Sequence, residues 1–189
     1  PKEDPADVAH AASPEEAIAE IDKQGARWIS RDDDSGTHKR EKSLFRAAGL
    51  DPEAKRKGLG RTGSGMGHSL QVAGERRAYI LSDIGTFLAF RDRIDLVILS
   101  KPAPSLRNIY SVLQLNAAHF DHALKTEAAE AFEAYLLSPE VQREISTFGL
   151  DRFGQTLFKP LHLPTEASNA AAASGASKAV KTAAPVQDE

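Results

Sequence analysis

Ser30-Arg31-Asp32-Asp33-Asp34-Ser35-Gly36-Thr37-His38-Lys39-Arg40-Glu41 is the stretch on which the reading of this chain turns. It follows a short run of strand character, Arg27-Trp28-Ile29, and opens a helix predicted over about residues 36–48. A strand that hands an arginine and a Ser-Gly-Thr turn to a helix N-terminus forms a ready anion site. The first N–H groups of a helix have no partner within it, and the helix dipole favours negative charge there. Gly36 lets the backbone approach a ligand closely, Ser35 and Thr37 add hydroxyl donors, and Arg31 presents a planar fork suited to an oxyanion. The same residues also fit a plainer role, in which Asp34 or Ser35 caps the helix and Arg31 pairs with the acidic run. His38 is expected on the outer face of the helix.

Outward from this stretch, strands and helices interleave. Ser13-Pro14-Glu15-Glu16 is a strong helix start, with a Ser cap, Pro at the first position and Glu three residues after the cap. That helix is predicted to end near Lys23, with Ala17, Ile18 and Ile21 inward and Gly25 as its stop. The helix after Gly36 ends at Gly49. The basic, Gly-rich segment 55–65 reads as a loop, 66–76 as a helix, 78–81 as a strand and 84–90 as a short helix. The β-branched runs 96–99 and 109–115 read as strands around the stiff Lys101-Pro102-Ala103-Pro104 loop. Two helices follow, 127–137 and 139–148, separated by the Ser138-Pro139 start signal. This alternation predicts an α/β sandwich. From Pro164 the chain turns to Ala, Ser, Thr and Lys, too poor in large apolar residues to fold alone, so 164–189 is predicted as a disordered tail.

Composition narrows the classes. The chain has 189 residues, 41% of them hydrophobic and 27% charged, which is the balance of a globular protein. A net charge of −3 gives no general attraction to nucleic acid or anionic membranes, so any positive potential is local, as near Arg31, Lys39 and Arg40. The absence of cysteine excludes disulfides and thiolate metal sites. No apolar run reaches the length of a membrane span.

Other candidates are weaker. Asp32-Asp33-Asp34 offers oxygen ligands for a hard cation, but consecutive loop carboxylates point in different directions. Gly63-Ser64-Gly65-Met66-Gly67 lacks the Gly-Lys-Ser/Thr ending of a nucleotide loop. Its functional reading is a second set of backbone donors, at Gly65 and Met66, opening the next helix; its plain reading is a flexible connection. His119 and His122 lack a carboxylate at metal-site spacing. Ser35 near His38 mimics a nucleophile with its base, yet both sit within one turn and nothing orients the His. No catalytic set assembles, and a binding module is the better class.

Ordered matches along the chain sharpen this. Residues 30–41 resemble the Ser-Arg-Gly-Asp-Asp-Ser-Gly-Thr-His-Lys-Lys-Glu signature of the TupA-type tungstate receptors of ABC transporters. Thr62-Gly63-Ser64-Gly65-Met66-Gly67 is similar to that family's Thr-Gly-Gln-Gly-Met-Gly turn. Residues 78–89 resemble its Ala-Tyr-Thr-Leu-Thr-Asp-Arg-Gly-Thr-Tyr-Leu-Ala, and Asn108-Ile109-Tyr110-Ser111-Val112 its Asn-Pro-Tyr-Ser-Val. The resemblance implies a periplasmic-binding-protein-like (type II), three-layer α/β/α fold with one lobe complete and the other partial. Residues 1–98 would form the second lobe, and 99–163 the hinge return and part of the first. It implies a non-catalytic, periplasmic or extracytoplasmic receptor without cofactor or metal that captures a tetrahedral oxyanion, tungstate first and molybdate second, for an ABC permease. The oxyanion site it implies is Arg31, Ser35, Gly36, Thr37, Gly65 and Met66.

Two departures from the family pattern carry consequences. The chain starts at Pro1-Lys2-Glu3-Asp4-Pro5, similar to the Gly-Pro-Lys-Asp-Asp-Pro that follows the family's first hinge strand, so its Thr-Thr-Thr-Ser oxyanion turn is absent here. An exposed sheet edge and self-association through it are expected. The family's Gly after the Arg is Asp32, a negative charge beside an anion pocket. Two other readings stand beside the receptor: a metal-dependent phosphate-ester enzyme using Arg31, Ser35 and the Asp run, and a degenerate receptor fragment with only a partner-binding role.

Overall fold

The computed structural model describes residues 1–161, which fall into two units, Pro1–Tyr110 and a second beginning at Ser111. The predicted tail at 164–189 lies outside the described residues.

The first unit is built on three short parallel strands: β1 (Trp28–Ser30), β2 (Leu59–Arg61) and β3 (Tyr79–Ile80), in the order β2-β1-β3. Trp28 pairs with Leu59 on one side and Tyr79 on the other, and Ile29 with Gly60 and Ile80. Around them stand α1 (Pro14–Lys23), α2 (Gly36–Ala47), α3 (Met66–Arg76) and α4 (Ile84–Phe90). From β1 the chain crosses through α2 to β2, then returns through α3 to β3 on the far side. Reversing direction in a sheet of right-handed crossovers places the two helices on opposite faces. The two cores show this. Trp28 joins Ile18, Ile21, Leu44, Phe45 and Tyr79 on the α1/α2 face, while Ile29 packs with Ala73 and Ala78 on the α3 face. Successive strand residues point to opposite faces, so a central strand of Trp and Ile feeds both layers. The α/β reading therefore holds.

Local signals act as read. Ser13 Oγ accepts from Glu16 N–H at 3.1 Å, and Glu16 Oε2 accepts from Ala12 N–H at 2.7 Å, fixing the start of α1. Its buried face is Pro14, Ala17, Ile18 and Ile21. On β3, Tyr79 donates its hydroxyl to Asp4 Oδ1 at 2.7 Å and accepts from Ala6 N–H at 2.9 Å, tying the N-terminal residues to the sheet. Burial and the neighbouring Asp4 push the Tyr79 hydroxyl pKa well above the usual tyrosine value. Gly67 lets α3 press on α4, because a Cβ there would lie 2.6 Å from Phe90 Cζ.

Two strand expectations fail. The segment 55–65, read as a loop, contains β2. Its Gly60 weakens strand propensity but lets the strands approach closely, since a Cβ there would sit 2.8 Å from Ile29 Cδ1 of the paired strand and would push that side chain aside. Residues 96–99 and 109–115, read as strands, form no ladder among the described residues. Apolar β-branched runs become strands only when a neighbour accepts their backbone groups. Leu96 and Leu99 instead pack their side chains against the two cores as irregular chain.

The second unit holds α5 (Thr126–Leu137), α6 (Pro139–Thr147) and α7 (Leu150–Phe153). Ser138 ends α5 and caps α6, its Oγ accepting from Val141 N–H at 3.4 Å. Gln142, buried, donates to the Leu136 carbonyl at 2.8 Å across that corner. Beyond α6, Phe148 and Phe158 stack at 5.8 Å between ring centroids. Phe132, Tyr135 and Leu137 of α5 are exposed.

Leu70 of α3 is completely buried. Leu70→Ala is expected to lower stability by about 2–5 kcal/mol. Urea denaturation checks this; a change below about 1 kcal/mol would show that α3 does not close a packed layer.

Candidate anion-binding site

Ligands of open α/β sheets bind beyond the carboxyl ends of the strands, where the chain reverses direction. Here that place is the C-terminal end of β1, flanked by β2. Ser30 and Arg31 leave β1 as Thr62 leaves β2. Thr62 N–H donates to the Ser30 carbonyl at 3.1 Å. Its hydroxyl faces the carbonyls of Ser30 and Arg31 at 3.3 and 3.4 Å and meets Ser69 Oγ at 2.7 Å. Ser69, fully buried on α3, donates back to the Gly65 carbonyl at 3.1 Å. This polar lock fixes the Arg31 loop beside the 62–65 turn.

Two helix N-termini open from these loops. On α2, Ser35 Oγ caps by accepting from His38 N–H at 3.3 Å, which leaves the amides of Gly36 and Thr37 for another acceptor. On α3, Gly65 is the cap residue and no side chain bonds to the first-turn amides, among them that of Met66. The Met66 side chain itself is buried, so its contribution to the site is its N–H. A Cβ built on Gly36 or on Gly65 meets nothing within 4 Å, so the space in front of both turns is open. Two buried polar atoms beside them have no partner: Arg31 Nε and Ser64 Oγ. A buried donor without an acceptor is costly, by about 1–3 kcal/mol, and its natural relief is a bound acceptor. Ser64 was read only as part of a turn, and its orphaned hydroxyl is visible only once the chain is folded.

The plain reading of the loop is also realised. Ser35 does cap α2, and Arg31 does pair with the acidic run, through Asp33. The three carboxylates diverge: Asp33 to Arg31, Asp34 to Lys39 at 3.4 Å, and Asp32 to Arg61 at 3.8 Å and His38 at 3.6 Å. Among the described residues no group of three or more His, Asp or Glu is placed to hold a metal. Asp32 has φ 51, the left-handed region that glycine favours and Asp tolerates. Its carboxylate thus faces Arg61 and His38, where its charge is balanced.

His38 corrects the sequence reading: it is buried, not on the outer face. Asp34 N–H donates to its Nδ1 at 3.1 Å, so the ring carries its proton on Nε2, facing Asp32. The imidazole supports the loop from beneath. A neighbouring small cavity is lined by Ser30, His38, Glu41 and Arg61. Glu41 is buried there, and sequence reasoning missed it, since one charged residue in Lys39-Arg40-Glu41-Lys42 looks like a solvated face. Burial raises its pKa to about 7, Asp32 adding to the rise while Ser30, Trp28 and Arg61 oppose it.

With this geometry in view, the likenesses to known proteins acquire meaning. The tungstate-binding protein TupA of Peptoclostridium acidaminophilum is 36% identical over 144 residues, 76% of this chain and 49% of that protein. The TupA of Campylobacter jejuni is 34% identical over 139 residues, 71% of this chain and 51% of that one. The solved tungstate-binding protein TupA of Desulfovibrio alaskensis G20 shares the fold with a TM-score of 0.74 at 33% identity, over 86% of this chain and 65% of that chain. Over most of its length the chain is similar to TupA-type proteins. No family model matches it. It spans about half the length of the curated relatives it matches. The fold is accordingly a partial periplasmic-binding-protein-like α/β fold of the TupA type, as the motif order implied.

Glu41 gives a measurable signature. A carboxyl whose folded pKa exceeds its unfolded value favours folding below the unfolded pKa and loses that contribution as pH rises to the folded one. Wild-type stability relative to Glu41→Gln should therefore fall between about pH 4.5 and 7 and stay level above. At about pH 8 the variant should be the more stable by roughly 1–3 kcal/mol. Urea titrations across pH check this; parallel curves would mean that Glu41 is solvated.

Proposed function

We propose that this chain is the solute-binding component, or a part of it, of an ABC transporter, and that it captures a tetrahedral oxyanion without catalysis. Tungstate is the first candidate and molybdate the second. Arg31, Ser35, Gly36, Thr37, Gly65 and Met66 are the proposed contacts. The observation that carries the reading is the pair of partnerless buried atoms, Arg31 Nε and Ser64 Oγ, beside two helix N-termini with open space before them. Such a site offers cationic and neutral donors and suits an anion that needs no proton acceptor. The kinship supports the ligand class, since the related proteins are named for tungstate binding. It supports a binding protein over an enzyme, and the divergence of Asp32, Asp33 and Asp34 disfavours the phosphate-ester alternative.

The proposal extends to an extracytoplasmic location and an ABC permease as partner. Among the described residues no helix is long and apolar enough to cross a membrane. Residues 1–98 would be the second lobe, 99–163 the hinge return and part of the first. Self-association through an exposed sheet edge belongs to the same reading.

Calorimetry at low salt tests the function. The donors of this chain form one wall, so a bound anion keeps much of its hydration, and tungstate should bind residues 1–189 alone at roughly 0.1–1 mM. Arg31→Ala should weaken binding at least about tenfold and Arg31→Lys by less, because charge remains while the fork is lost. Thr37→Val should have a smaller effect than Arg31→Ala. Equal affinity in all variants would eliminate the site, and metal-dependent, chelator-sensitive turnover of a phosphate ester would replace it with the enzyme.

A further inference from the structure

The Asp33 carboxylate occupies two of the donors that an oxyanion would use. Its Oδ2 takes the Arg31 Nη2, and its Oδ1 accepts from Ser35 N–H at 3.2 Å. The Ser35 hydroxyl, which caps α2, also favours the charged form of that carboxylate. Asp32 at φ 51 and Asp34 at φ 55 bracket it, both in the left-handed region, and these bends fold Asp33 back over the loop. The Asp33 and Arg31 side chains are only 20% and 17% exposed, so the pair is screened from bulk water more than a surface ion pair. Asp34 and Asp32, by contrast, turn to Lys39, Arg61 and His38. A carboxylate held by one guanidinium nitrogen and a backbone N–H at a helix N-terminus has contacts of the kind a bound oxyanion makes.

We propose that Asp33 is a built-in competing anion: it holds Arg31 and Ser35 when the site is empty, and the incoming oxyanion must displace it. The proposal rests on the oxyanion-receptor reading and adds to it a residue that sets affinity by opposing the ligand. Partial burial pushes the Asp33 pKa up, but the Ser35 hydroxyl and amide and the Arg31 guanidinium outweigh it, keeping the group below the usual carboxylate range and hence charged. Displacement lowers the affinity for every anion by the same factor. The displaced carboxylate then repels the ligand in proportion to its charge, so a dianion loses more than a monoanion.

Asp33→Asn keeps the shape and removes the competing charge. Tungstate titration of the 189-residue chain should show binding at least about tenfold tighter in D33N than in wild type. Perrhenate, a tetrahedral monoanion, should gain less than tungstate does. In ¹³C spectra of wild type, tungstate should shift the Asp33 carboxyl resonance as Arg31 leaves it. A positioning role for Asp33, in which it orients Arg31 for the ligand, predicts the reverse: D33N binds more weakly and the carboxyl resonance stays. Wild type that binds tungstate with D33N equal or weaker overturns the proposal and leaves the receptor reading standing. Failure of both proteins to bind millimolar tungstate overturns the receptor reading, and the proposal with it.

Discussion

The parallel pairing of β1 with β2 and β3 is the constraint on which the rest of the first unit depends. The strand has three residues, yet each is assigned: Trp28 to one core, Ile29 to the other, and Ser30 to the polar end. Parallel strands must be joined by crossovers, and reversing the crossover at β1 places α2 and α3 on opposite faces. The same reversal leaves a crevice beyond the strand ends, into which the amino ends of both helices open. Remove the pairing and the donors at Arg31, Gly36 and Met66 have no reason to share a neighbourhood.

Precision in that neighbourhood comes from small polar contacts under the loops. Thr62 and Ser69 join the β2 turn to the end of β1 and to α3, and neither is a donor in the proposed site. His38 performs the same task for the acidic loop by accepting from Asp34 N–H. Glu41 sits deeper, a carboxyl that burial favours in its neutral form. A rigid polar floor beneath a loop of alternating left-handed residues lets Arg31 be held without being saturated, since its Nε remains unpaired. The ion pair of Arg31 with Asp33 and the orphaned Nε describe one guanidinium half committed to the protein and half open.

Much of this was legible in the sequence, and the reasons are specific. Ser13, Pro14 and Glu16 announced α1 because capping is local chemistry, and Ser35-Gly36-Thr37 announced α2 for the same reason. The motif order pointed to the TupA-type resemblance because it spans several turns, each with its own backbone demand; Asp32 at φ 51 lies in the left-handed region that glycine favours. Strand β2 escaped because what makes Gly60 fit is a side chain on another strand, Ile29. The runs 96–99 and 109–115 misled because strand propensity measures apolar fit and not the presence of a ladder partner. His38 and Glu41 were missed since a helix's buried face is set by what packs on it, and a charged run hides a buried member. The partnerless Ser64 hydroxyl and the Asp33 contacts are properties of the folded loop.

In the proposed function the carboxyl ends of β1 and β2, with Arg31 beside them, hold an oxyanion. Tungsten scatters anomalously at its L edge, so a crystal of this chain grown with tungstate locates the metal directly. The expected result is an anomalous peak in front of the first turns of α2 and α3, with the Arg31 guanidinium on the oxyanion and Asp33 turned away. A peak elsewhere, or no ordered tungsten with Arg31 still bound to Asp33, would contradict it.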